Sequence, residues 1–185
     1  MAATAIIGQQ LNLAFTKKVK RRLIDYCGKQ IRFEGSDYLG FPTAETVSQL
    51  STHTLRTMQF SRRKAEYLLE FAQAVSSGQV DEAILRRMSD GQIFDELSQY
   101  RGIGRWTVDM VLMRALGRPD ILPSLDVALQ AAYGLVFNRE RPTSRELLRL
   151  TSNWTGFRSY ATFYLWAFLS DERLIRSRIS RKRKQ

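Results

Sequence analysis

Leu97-Ser98-Gln99-Tyr100-Arg101-Gly102-Ile103-Gly104-Arg105-Trp106-Thr107-Val108 joins two helical patterns through Gly-Ile-Gly, an apolar residue locked between two glycines. Two helices are expected to meet there at a tight turn. Glycine tolerates positive φ and lets a bulky anion approach bare backbone. The N–H groups that open the following helix lie at the positive end of its dipole, which suits a phosphate. Arg101 and Arg105 flank the turn, Thr107 follows it, and its carbonyls are candidate ligands for a monovalent cation such as Na+ or K+. The same residues also read as a plain αα-hairpin with Ile103 as its core plug.

Outward from the turn, apolar residues recur at helical spacing, as in Ala65, Leu68, Leu69, Ala72 and Val75 or Val108, Val111, Leu112, Ala115 and Leu116. Alternating strand patterns are nearly absent, so the expectation is an all-α chain of eight to ten helices. Ser61 starts a helix to about residue 77, and Ser89 with Gln92 and Thr143 with Glu146 read as capping boxes. Phe41-Pro42-Thr43 is a loop that restarts helix at about Ala44. Ala2 to Phe15 reads as one interior helix without a preceding cap, as if the chain began inside a domain. The predicted organisation is a helical domain over 1–176, in two lobes divided near residue 120, followed by a basic disordered tail at 177–185.

The 185 residues are 44% hydrophobic and carry 29 Lys+Arg against 18 Asp+Glu, a net charge of +11. A polycation with a pI near 10.2 releases condensed counterions when it neutralises phosphates, so nucleic acid is the favoured partner. Membrane insertion is excluded by the shortness of the apolar runs, and nothing marks a signal peptide. Cys27 is the only cysteine, which rules out an intramolecular disulfide and an iron–sulfur cluster held by four cysteines. No cofactor is expected apart from the hairpin cation, and a monomer is expected. Cytoplasm, in association with the nucleoid, is the default location. The Arg181–Lys184 run is equally consistent with a nucleus.

Twenty-two positions past Gly104, Leu122-Pro123-Ser124-Leu125-Asp126-Val127 delivers an aspartate to the start of an apolar helix. Asp126 reads as an N-cap. A carboxylate in that position also suits stabilisation of a cation developing nearby. His53, the only histidine, lies in a polar run and reads as a surface residue.

Taken together, the hairpin and the Pro123-x-x-Asp126 loop resemble the helix-hairpin-helix DNA glycosylase superfamily. Ile6-Ile7-Gly8-Gln9-Gln10-Leu11, Phe41-Pro42-Thr43, Ser61-Arg62-Arg63-Lys64-Ala65-Glu66-Tyr67-Leu68, and Trp154 with Arg158-Ser159-Tyr160-Ala161 and Trp166 occur in the order of its 3-methyladenine DNA glycosylase II branch. The resemblance implies a bilobal helical fold, without the family's N-terminal β domain. It binds double-stranded DNA and flips a damaged base into a cleft between the lobes. Asp126 is then the catalytic acid, and Arg101, Gly102, Ile103, Gly104, Arg105 and Thr107 form the DNA-gripping hairpin. Trp106, Trp166, Met110 and Tyr160 line the base pocket. Gln10, with Gln9 as competitor, wedges into the gap left by the flipped base. Trp154 is assigned to core packing.

Bifunctional relatives such as endonuclease III carry a lysine where this chain has Trp106, and an indole forms no Schiff base. The expected activity is therefore monofunctional excision of alkylated purines (3-methyladenine, 7-methylguanine), leaving an abasic site. Two departures from the family pattern are expected to loosen turns: Arg101 and Gly156 each stand where proline is common. The rivals are a catalytically silent DNA-binding module, with Asp126 only a cap, and a glycosylase for deaminated purines.

Overall fold

The structure, a computed structural model, describes residues 1–171. Residues 172–176 of the expected helical domain and the basic tail at 177–185 lie outside that range. Eleven α-helices and one two-stranded sheet among the described residues belong to two compact units, Met1–Thr107 and a second beginning at Val108. The division falls after Thr107, inside a helix, rather than near residue 120.

The first unit opens with α1 (Ala2–Gly8) and α2 (Leu13–Cys27), so the single helix expected over Ala2 to Phe15 is broken. Gln10 takes a left-handed φ of 55°, and the Asn12 side chain starts α2 by accepting the Phe15 N–H at 2.8 Å. A side-chain cap of this kind competes with helix continuation, and here it wins.

An antiparallel hairpin follows, β1 (Lys29–Phe33) and β2 (Ser36–Gly40), with Ile31 opposite Tyr38. It adds a sheet to a chain expected to be all helix. Glu34 and Gly35 both adopt positive φ, 48° and 78°, the two-residue connection that matches strand twist. Both strands lie almost wholly exposed, so no alternation of buried and exposed residues betrayed them in the sequence.

Next come α3 (Ala44–Ser48), α4 (Thr52–Thr57), α5 (Arg62–Ser76), α6 (Glu82–Leu85) and α7 (Asp90–Ser98). The α5 helix is the hub, because α1, α3 and α4 all pack on it. Its stripe of Ala65, Leu68 and Ala72 joins Ile7, Val19, Leu23, Val47 and Leu55 in one core. Burying each large side chain there contributes about 1.5 to 3 kcal/mol. The expected caps are formed: Ser61 accepts the Lys64 N–H, and Ser89 and Gln92 close a reciprocal box.

α8 (Arg105–Arg114) spans the division. The second unit then holds α9 (Val127–Val136), α10 (Ser144–Leu150), a short 3-10 turn at Ser152–Trp154 and α11 (Arg158–Ser170). Leu122, Leu129, Ala132, Tyr133, Leu147 and Leu165 form its core. Trp154 takes the packing role expected of it, with the rings of Tyr133 and Phe137 at 5.8 and 6.1 Å. Thr143 and Glu146 close the second expected capping box.

Asp120 fixes the start of α11. Its carboxylate accepts two guanidinium N–H groups of Arg158, each at 2.6 Å, and the backbone N–H groups of Gly156 and Arg158. Those bonds, the Arg158 side chain first, hold the Asp120 carboxyl down at about 2. Gly156 has φ 91° and donates its N–H, and proline has neither that φ nor that hydrogen. The glycine therefore makes a different and well-tied turn, not a looser one. No helix among the described residues is long and apolar enough to cross a membrane.

Candidate functional site

The second unit brings together two residues singled out in the sequence. Asp126 is the N-cap of α9, and its Oδ1 accepts the Leu129 N–H at 2.6 Å. The same oxygen accepts the Trp166 indole N–H, from α11, at 3.1 Å. Capping and a functional role are thus compatible, because one cap bond and one indole bond together hold the carboxylate in a single rotamer at a half-buried position.

The loop that delivers Asp126 is itself tied down. Its own N–H bonds Pro123 O at 2.8 Å, while Gln130 and Ser144 donate to Ser124 O and Ser124 Oγ, each at 2.8 Å. Pro123 and its neighbours therefore set the aspartate's direction before any ligand arrives.

Trp166 is half-buried, and the Phe163 ring meets it edge-on at 5.8 Å. The Arg114 guanidinium lies 5.7 Å from the Trp166 ring and 5.9 Å from Phe163. This pairing cannot be read from the sequence, since residues 114 and 166 are linked only by the packing of the unit. One cation thus already uses the indole's electron-rich system. The other two pocket candidates of this unit differ in setting. Met110 is buried on α8, whereas Tyr160 is 53% exposed, with its ring 6.4 Å from that of Phe157.

In the first unit the hairpin is built as expected and braced in a way the sequence did not reveal. Gly102 has φ 81°, and a Cβ there would fall 2.2 Å from the Tyr67 ring on α5, so two independent constraints demand glycine. Gly104 faces open space, which leaves backbone accessible at the start of α8. Ile103 is buried as the plug between them. Trp106 is half-buried at the second position of α8.

Two of the residues assigned to gripping DNA are otherwise occupied. Thr107 is buried, and its Oγ1 accepts the Gln9 side-chain N–H at 2.9 Å, which makes it part of the internal support. Arg101 pairs with Glu70 at 2.7 Å and lies 5.9 Å from the Tyr67 ring. That ion pair is exposed, and such pairs are worth little, so a phosphate competes with Glu70 for Arg101 at small cost. Arg105 extends over the Phe94 ring at 5.4 Å.

Gln9 and Gln10 separate cleanly. The Gln9 amide donates to Gly102 O at 2.6 Å and to Thr107 Oγ1, and so bolts the end of α1 to the hairpin. Lys64 of α5 donates to Ile7 O at 2.8 Å and to Gln9 O, and burial lowers the pKa of its ammonium. Gln10 is left exposed on its left-handed residue, projecting from an anchored loop. Of the two wedge candidates, Gln9 belongs to the brace and Gln10 remains. Tyr100 O accepts the Ile103 N–H at 3.1 Å and Gly102 O accepts Gln9, so a Na+ or K+ at this turn would share carbonyls that already serve as acceptors.

A family model described as HhH-GPD superfamily base excision DNA repair protein matches residues 3–156. A DNA-3-methyladenine glycosylase of Bacillus subtilis (strain 168) is 35% identical over 165 residues, 89% of this chain and 54% of that protein. The chain spans about half the length of the curated relatives it matches. Among solved structures, a 3-methyladenine DNA-glycosylase from Archaeoglobus fulgidus superposes with a TM-score of 0.79 at 29% identity, covering 90% of this chain and 56% of that one. The 3-methyladenine DNA glycosylase Mag1 of Schizosaccharomyces pombe, in complex with abasic DNA, also gives 0.79, at 28% identity, covering 92% of this chain and 80% of that one.

Proposed function

This chain belongs to the HhH-GPD superfamily of base excision DNA repair proteins, and from that premise we propose that it is a monofunctional DNA glycosylase excising alkylated purines from duplex DNA. The observation that carries the reading is the Asp126 carboxylate, fixed between the Leu129 N–H and the Trp166 indole N–H. The names and DNA complexes of its relatives support the substrate class.

An N3- or N7-methylated purine is cationic and departs as a neutral base, so the deoxyribose gathers positive charge as the glycosidic bond breaks. A carboxylate about 4 Å from that sugar contributes about 4 kcal/mol at an effective dielectric near 20, roughly a thousandfold in rate. Asp126 supplies it without reorganising, because its rotamer is already set. The same group orients the attacking water as a general base. Gln10 is exposed and fills the space vacated by the flipped nucleotide.

Trp106 stands where a Schiff-base lysine would act, and the indole nitrogen is not basic, so the product is an intact abasic site. The single cysteine is compatible only with chemistry that needs no four-cysteine cluster. The chain works as a monomer.

Duplexes bearing 7-methylguanine, 3-methyladenine or hypoxanthine, incubated with wild type and with Asp126→Asn, test the proposal by base release scored before alkali. Asparagine caps helices as well as aspartate does, so the variant is expected to fold and bind duplex while losing roughly a thousandfold in release rate. Wild type that binds yet releases no base makes the protein a silent DNA-binding module. Strand breaks without alkali would refute the monofunctional assignment. Preferential release of hypoxanthine would reassign the substrate to deaminated purines.

A further inference from the structure

The outward face of α2 has no part in the function just described. Helix α2 carries Lys17, Lys18, Lys20, Arg21 and Arg22 against a single carboxylate, Asp25. Its inner side is committed to the core through Val19 and Leu23. Lys17, Lys18 and Arg21 are exposed, and Leu13, the first residue of the helix, is 70% exposed. Leu13, Lys17 and Arg21 follow one another at intervals of four, on one stripe of the helix. Arg21 pairs with Asp25 at 2.7 Å, but the two side chains are 70% and 49% exposed, so the pair yields readily to a phosphate.

The brace locates this stripe. Gln9 is hydrogen-bonded through its side chain to the hairpin at Gly102 and Thr107, and four residues later the chain is at Leu13, so the helix starts within about 14 Å of the Gln9 backbone. Between them stands Gln10, exposed on its left-handed residue. From Leu13 to Arg21 the stripe runs about 12 Å, and duplex DNA offers one phosphate charge per ~1.7 Å of axis. The stripe begins three residues past Gln10, at most about 11 Å along the chain, within reach of a duplex held by the hairpin with Gln10 inserted.

We propose that the outer face of α2 is a second DNA contact, with Lys17, Lys18 and Arg21 neutralising backbone phosphates beside the lesion and Leu13 packing against the edge of the minor groove next to Gln10. The contact is blind to sequence and to damage. It rests on the DNA reading of the hairpin, and it adds to affinity, not to chemistry.

Equilibrium binding of wild type and the triple variant K17A/K18A/R21A to an undamaged duplex and to an abasic-site duplex, from about 50 to 200 mM salt, tests it, since each lost phosphate contact flattens the slope of log K against log[salt] by about 0.9. The slope is expected to become shallower by about 2 to 3 on both duplexes. Single-turnover excision at saturating enzyme should stay within about twofold of wild type, and Leu13→Ala should weaken binding without changing the slope. Alanine substitution at exposed helical sites preserves the helix, and an unchanged melting curve verifies that. A wild-type slope in the triple variant overturns the proposal and leaves the face to an acidic protein. A wild type without duplex affinity is a different failure, that of the DNA reading itself.

Discussion

Trp166 and Asp126 constrain each other through a single hydrogen bond, and the indole is the only part of that arrangement that can be removed without touching the helix cap. Trp166→Phe keeps an aromatic ring and leaves the bond from Leu129 N–H intact. A hydrogen bond to a charged group is worth about 1.5 to 3 kcal/mol, so the melting temperature is expected to fall by several degrees and the single-turnover release rate, measured where the variant is folded, to fall about ten- to hundredfold. A variant that excises at the wild-type rate would show that the indole bond is not what orients the carboxylate. Asp126 and the glycines were legible in the sequence as a helix cap and a turn because those are contacts within a few residues, whereas Trp166 was named only through the family resemblance and its bond to Asp126 spans 40 residues. Gln9, Lys64, Tyr67 and Arg114 were not legible. Their partners lie tens of residues away in the chain, and nothing in a glutamine at a helix end announces a bond to residue 102.

Helix starts were the elements best read from sequence, because a cap is a contact between residues three apart and needs no tertiary context. Ser61, the Ser89–Gln92 box and the Thr143–Glu146 box all form as expected. The break between α1 and α2 was missed because the apolar residues on either side continue a helical rhythm. The exposed hairpin of β1 and β2 was missed for want of a buried face. Asp120 offers a test at this scale, since it ties the loop before α11 to the first turn of that helix. Its carboxyl sits at about 2, below the ordinary 3.8, so the folded state binds fewer protons there than the unfolded chain. The stabilisation is therefore full above about pH 4 and disappears as pH falls through about 2. Asp120→Asn is expected to cost about 1 kcal/mol at neutral pH after solvent screening. In urea melts taken across that range, the gap between wild type and variant should close on the acid side.

The whole chain holds one thiol, on α2 in the first unit. Burial raises the Cys27 pKa, and its Sγ donates to Leu23 O at 3.4 Å. Labelling with a thiol-reactive chromophore at pH 8 should accordingly run at least tenfold slower in the native protein than in denaturant, where it reaches one per chain. Equal rates would mean that the end of α2 opens freely. The bond from Gln9 to Gly102 closes a span of 93 residues. During synthesis at about 5 to 20 residues per second, the N-terminal helix waits roughly 5 to 20 s for its distant anchor to leave the ribosome. In that interval the nascent protein is without the contact that ties the end of α1 to the turn at Gly102, and a stalled or prematurely ended translation product would never acquire it.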